Sequence, residues 1–117
     1  MKRFSQETVV AMHRELIAQS GGLDGIRDAN MLYTSINSPF HTFGGQYLYP
    51  TLQAMSAHLA FSLIKNHPFL DGNKRIGILS MLVFLDINGL SVTCTDDELV
   101  ALGLGIADSS ITEPEFI

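Results

Sequence analysis

Cysteine is nearly missing from this chain: Cys94 is the only one in 117 residues. No intrachain disulfide can form, and a reducing compartment is the simpler setting. Tryptophan is absent. Basic residues are few, seven against twelve acidic, for a net charge of −5. A nucleic-acid surface needs clustered lysine and arginine to neutralise phosphates, so direct binding to nucleic acid is not expected. Long apolar runs are missing too. The start, Met1-Lys2-Arg3-Phe4-Ser5, has no signal-peptide core, and the most apolar stretch, Ile76 to Leu85, is too short to span a bilayer. The expectation is a soluble, cytoplasmic protein with no membrane partner. Repeats, low-complexity segments and linkers are also lacking, so one domain over residues 1–117 is expected.

Apolar residues are plentiful for so small a chain, 46% against 16% charged. A chain of this size buries roughly two-thirds of its unfolded surface, and the apolar excess fits a face that meets a partner. Ser5 is a candidate N-cap, with Glu7 in the first turn and Val9, Met12, Leu16 and Ile17 at helical spacing. Gly21-Gly22 ends that helix. Asp28 caps a short second helix carrying Leu32 and Ile36. Ser38 to Tyr49 reads as an irregular loop or short hairpin. Pro50 suits the first position of a third helix, in which Leu52, Met55, Leu59 and Leu63 form one stripe and Ala54, Ala57, Phe61 and Ile64 fill much of the rest. A helix this apolar belongs in the centre. His67-Pro68 breaks it, because the residue before proline is pushed out of helical angles. Asn73 to Asn88 is again helical and apolar all round, ending at Gly89. Leu90 to Cys94 reads as extended, Thr95 to Glu98 as a capping box, and Thr112 with Glu115 as one more helix start. The fold class is therefore all-α, framed by two consecutive buried helices.

The polar loop between those helices, His67 to Arg75, concentrates the reactive groups. Polar groups at such a junction are costly unless paired or used. His67 can take or give a proton near neutral pH. Asp71 is a hard oxygen ligand suited to magnesium, which favours one or two carboxylates plus substrate phosphates. Gly72 lets the backbone turn. The amides of Asn73, Lys74 and Arg75 are then open donors at a helix start, a ready anion site, and the two cations add charge where phosphate would lie. Together these groups describe phosphoryl or nucleotidyl transfer, where positioning and charge stabilisation dominate. Taken singly, the histidine would be structural, the Gly-Asn-Lys-Arg run a solvated helix start and Asp71 a cap; the combination argues for function. Phe69 is assigned to the core as an anchor. His13, His41 and His58 read as core or surface histidines and not as zinc ligands.

The segment resembles the Fic signature H-x-F-x-[D/E]-G-N-G-R-x-x-R, matching at His67, Phe69, Asp71, Gly72, Asn73 and Arg75. Gly21-Gly22-Leu23, Gly25-Ile26-Arg27-Asp28, Phe43-Gly44-Gly45 and Tyr49-Pro50-Thr51 extend the likeness toward the death-on-curing (Doc) branch. Lys74 replaces a glycine of the general pattern and Ile78 its second arginine; both departures are similar to Doc. The resemblance implies a compact Fic-fold helical bundle with a short β-hairpin flap. It also implies a toxin of a toxin-antitoxin module that transfers the ATP gamma-phosphate to a threonine of elongation factor Tu and so blocks translation. His67 would be the base and Asp71 the magnesium ligand. Gly72, Asn73 and Lys74 would cradle phosphates, Arg75 would grip them with its guanidinium fork, and Lys65 matches a further basic position. Phe43, Gly44, Gly45 and Tyr47 would form the flap that docks the target by strand addition; the plain alternative is a surface loop. The inhibitory motif [S/T]-x-x-x-E-[G/N] is broken, since Pro114 follows Ser109-x-x-x-Glu113, so an antitoxin acting in trans is implied. An AMP-transferase, with the nucleotide reversed, and an inactive Fic-fold binding module are the alternatives. Lys74 discriminates against the first, and the intact His67, Asp71 and Asn73 against the second.

Overall fold

A computed structural model describes residues 1–90, Glu98 and residues 104–106. The extended stretch, capping box and last helix start expected after Leu90 fall mainly on residues outside the described ones, as do Cys94 and Ser109 to Glu113.

Among the described residues the main helices are α1 (Gln6–Ser20), α2 (Ala29–Asn37), α3 (Leu52–Asn66) and α4 (Asn73–Ile87). Three begin on a side-chain cap that satisfies an orphan amide. Ser5 accepts from the Thr8 amide, Asp28 from Met31 and Thr51 from Ala54. The third cap corrects one expectation. Pro50 is not the first helical residue; it precedes the cap, because the Thr51 hydroxyl supplies what the helix start lacks. Between α2 and α3, a 3-10 turn over Ser38–Phe40 leads into the strands β1 (Thr42–Phe43) and β2 (Gln46–Tyr47), paired antiparallel. The expected loop or hairpin is thus a turn followed by a hairpin. Gly44 and Gly45, at φ 61° and 80°, supply the left-handed pair a tight two-residue hairpin turn demands.

α3 and α4 make the most extensive helix contact and sit between two apolar clusters. On one side Val9, Leu32, Ile36, Met55, Leu59, Leu63, Phe69, Ile76 and Phe84 pack together. On the other, Ala60, Phe61, Ile64, Ile78, Met81 and Leu85 meet Ile106. Burial on two faces explains why both helices read as apolar all round. Gly77 sets their spacing: a Cβ there would stand 2.7 Å from Ile64 Cγ1 and 3.1 Å from the Ala60 carbonyl. Among the described residues, no helix is long and apolar enough to cross a membrane.

Candidate active site

The loop from His67 to Gly72 joins the end of α3 to the start of α4. His67 closes α3 in the left-handed region, at φ 48° and ψ 56°. A non-glycine residue there carries strain of about 1–2 kcal/mol. His67 is exposed. Asn73, the first residue of α4, organises the loop from inside. Its Oδ1 accepts from the Phe69 amide and its Nδ2 donates to the Phe69 carbonyl, both at 3.0 Å. Those two bonds fix which end of the amide is which, and Nδ2 then lies 3.3 Å from His67 Nδ1. The Asn73 side chain is buried and committed to the loop; only its main-chain amide remains for an anion.

A second segment clamps the loop from outside. Leu70 N donates to Gly25 O at 3.0 Å, and Arg27 N and Asp28 N donate to Pro68 O at 2.8 and 3.0 Å, around a bridge between Ile26 and Phe69. Phe69 is 1% exposed, an anchor as expected. Its ring stacks on that of His13, with centroids 3.8 Å apart and planes 7° from parallel. His13 in turn donates from Nε2 to the Asp71 carbonyl at 2.7 Å, and its Nδ1 lies 3.7 Å from Asp24 Oδ1. His13 is therefore a buried support for the loop.

Asp71 keeps its carboxylate half exposed, with one oxygen on each side engaged. Oδ2 accepts from Leu23 N at 3.1 Å and Oδ1 from Gly72 N at 2.8 Å. These amides, Leu23 first, hold its pKa below the ordinary 3.8; burial opposes them, and the charges of Arg75 and then His13 lower it further. Gly22 permits that approach: a Cβ on it would come within 2.6 Å of Asp71 Oδ2. Each carboxylate oxygen retains a lone pair. One ionised carboxylate suits magnesium, which takes its other ligands from water and phosphate. Among the described residues no group of three or more His, Cys, Asp or Glu gathers into a self-sufficient cage.

α4 begins differently from the other three helices. Gly72 stands at its cap position in the left-handed region and no side chain caps it; like α2 and α3, α4 has no acidic residue in its first turn. Lys74 is exposed there, and Arg75 follows. Cations at a helix start oppose the helix dipole, so this end is both under-bonded and electropositive. Two expectations need correction. The Gly72 amide is engaged by Asp71, which leaves the amides of Asn73, Lys74 and Arg75 for an anion. The Arg75 fork is not open either: Nη1 donates to Ser20 Oγ at 2.6 Å and to Gly21 O at 2.9 Å, and Nη2 lies 3.9 Å from Asp71 Oδ1. α1 has no basic residue in its own last turn, and its carbonyl end attracts this guanidinium. Ile78 is buried in the second cluster, where an arginine would be unpaired. Lys65 is exposed in the last turn of α3. The structure thus brings His67, Asp71, Gly72, Asn73 and Arg75 into one loop and its adjoining helix turn. The hairpin is exposed, Phe43 to 83% and Tyr47 to 44%.

The fold and loop define a helical protein of a known class. The model of the Fic/DOC family matches residues 3–85, and the chain belongs to that family. It is similar to Toxin Doc of Mycolicibacterium smegmatis, 36% identical over 77 residues, 66% of this chain. That match covers 59% of the relative's length. It is also similar to Protein kinase doc of Escherichia phage P1, 29% identical over 112 residues, 96% of this chain and 87% of the relative.

Proposed function

We propose that this chain is a cytoplasmic toxin of a toxin-antitoxin pair, a protein kinase that moves the gamma-phosphate of ATP to a threonine hydroxyl of elongation factor Tu. One observation carries the reading: α4, which unlike α1, α2 and α3 starts without a side-chain cap, is the helix whose first turn holds two cations and directly follows the loop of His67 and Asp71. An anion completes it, and the polyphosphate of a nucleotide is the anion for which a neighbouring imidazole has a use. The relative named as a protein kinase supports the choice of reaction.

On this reading, the amides of Asn73, Lys74 and Arg75 bind the phosphates. Lys74 adds charge, and Lys65 a second cation from the other side of the loop. Arg75, its Nη1 held by Ser20 and Gly21, contributes Nε and the part of Nη2 not turned to Asp71. Asp71, ionised because two amides stabilise its charge, would hold magnesium together with the phosphates; the ion supplies neutralisation of charge on them. His67 Nε2, the ring nitrogen not facing Asn73, takes the proton of the acceptor hydroxyl as that oxygen attacks the gamma-phosphorus and the bond from that phosphorus to the bridging oxygen breaks, releasing ADP. For that, the ring's own proton must sit on Nδ1, where Asn73 Nδ2 at 3.3 Å is then a contact and not a hydrogen bond. The hairpin edge pairs with an extended segment of the target, and an antitoxin covers the apolar surface in trans.

Incubating the purified chain with Mg·ATP labelled at the gamma or alpha phosphate, with elongation factor Tu as acceptor, tests this. Gamma label on a threonine is the expected result, lowered about 10²–10⁴-fold in His67→Ala. Alpha label instead would make the protein an AMP-transferase. Toxicity that survives His67→Ala would make it a binding module.

A further inference from the structure

The carbonyls that close a helix need donors from elsewhere, and α3 finds them 40 positions upstream. After Asn66 the chain turns through His67, the one non-glycine residue with positive φ among the described residues. Helices that stop this way ordinarily place glycine at the turning residue. Pro68 meanwhile disfavours the right-handed helical well for the residue before it. His67 thus occupies a conformation its own side chain disfavours, and contacts from outside must hold it there. Arg27 makes them. Its Nε donates to the His67 carbonyl at 2.6 Å and its Nη2 to the Asn66 carbonyl at 2.8 Å. The same residue's main-chain amide bonds the Pro68 carbonyl at 2.8 Å. Three consecutive carbonyls, 66 to 68, are therefore fastened by one residue, while Asn73 approaches the imidazole at Nδ1 from the α4 side.

We infer that Arg27 is a positioning residue for His67. Its fork holds the backbone at 66–67 in the left-handed turn and so fixes where the imidazole points, without touching the nucleotide. A lysine cannot stand in fully, because a single ammonium head does not reproduce the planar two-donor edge that meets adjacent carbonyls. The effect on turnover rests on the reading of His67 as the base; the geometric claim does not.

The test uses the full chain in two variants. Arg27→Met keeps the aliphatic stem and loses every donor; Arg27→Lys keeps the charge on one head. The ¹⁵N resonances of the His67 imidazole, assigned against His67→Ala, are recorded for each, followed by phosphotransfer kinetics with Mg·ATP varied. Both variants should displace the His67 ring resonances. In Arg27→Met, kcat should fall about 10- to 100-fold while KM for ATP stays within about twofold, and Arg27→Lys should recover part of the loss. Unshifted ring resonances together with wild-type kcat would overturn the inference. So would a fall in ATP affinity as large as the fall in kcat, since Arg27 would then be a nucleotide ligand. If Arg27→Met does not fold, Arg27→Lys decides by the same readouts. If the wild type transfers no phosphate, the functional reading fails, and the ring resonances still decide this one.

Discussion

The His67 loop and the hairpin are both short connections between helices, yet they are built in opposite ways. The loop is tied down from three directions: by the 25–28 segment, by the His13 ring under Phe69 and by Asn73 from within. The hairpin has two residues in each strand, every one exposed, and its ladder is internal. A connection that must hold reacting groups within a fraction of an ångström needs such ties. One that must pair with an incoming strand is better left with open edges. On this contrast, substitutions in the loop should register in stability and chemistry together, and substitutions in the hairpin in neither unless a protein acceptor is present.

The sharpest break comes at Asn73. Asn73→Ala removes both bonds to Phe69 and leaves a buried amide and carbonyl unpaired, which costs about 2–4 kcal/mol. That is a large share of the roughly 5–15 kcal/mol that keeps a domain folded. Thermal melting should fall by roughly 10–20 °C, with phosphotransfer lost in the folded fraction. A change below about 1 kcal/mol would mean that the clamp from 25–28 alone maintains the loop.

His13 comes next. His13→Phe can keep the parallel stack on Phe69 but cannot donate to the Asp71 carbonyl. One hydrogen bond is worth about 1 kcal/mol, so melting should fall by roughly 4–8 °C. Affinity for Mg·ATP should weaken with it, because the backbone that carries the Asp71 carboxylate is released. Unchanged nucleotide affinity would show that the Leu23 and Gly72 amides suffice to place that carboxylate.

Reading residues in order reveals neighbours in the chain, and this decides what the sequence could disclose. Ser5 and Asp28 announced their helices because a cap acts on the next turn. The reactive loop stood out because His67, Asp71 and Asn73 fall within seven residues. Pro50 misled because a rule about first helical positions competed with a threonine one residue later, whose hydroxyl could bond the helix. The supports were invisible for a different reason. His13 lies 58 positions from Asp71, and Ser20 lies 55 from Arg75. Only the packing of α1 against α4 brings them together, and no local pattern marks either as part of the site. A buried histidine close to the Gly21-Gly22 turn was the available signal, and it reads equally well as core. Arg75 shows the same limit from the other side. Its charge was legible, but the helix end that takes up part of its fork was not.

The smallest expected effect tests the comparison from the hairpin side. Phe43 is 83% exposed, and its cross-strand neighbour is Gln46, so Phe43→Ala removes little buried area. Stability should stay within about 0.5 kcal/mol of wild type. Transfer to a short soluble acceptor peptide should be unchanged, since the imidazole, the carboxylate and the α4 amides are untouched. Transfer to intact elongation factor Tu should show a raised KM at constant kcat, the signature of lost docking contacts that are equal in ground and transition states. The decisive control is hydrogen exchange in the free protein. The Leu70, Arg27 and Asp28 amides should be protected and the hairpin amides should exchange fast, because a lone two-stranded ribbon is marginal in water. If the hairpin amides proved as protected as Leu70, or if Phe43→Ala lowered the melting temperature, the hairpin would be part of the folded core, and its exposure would not mark a surface kept for a partner.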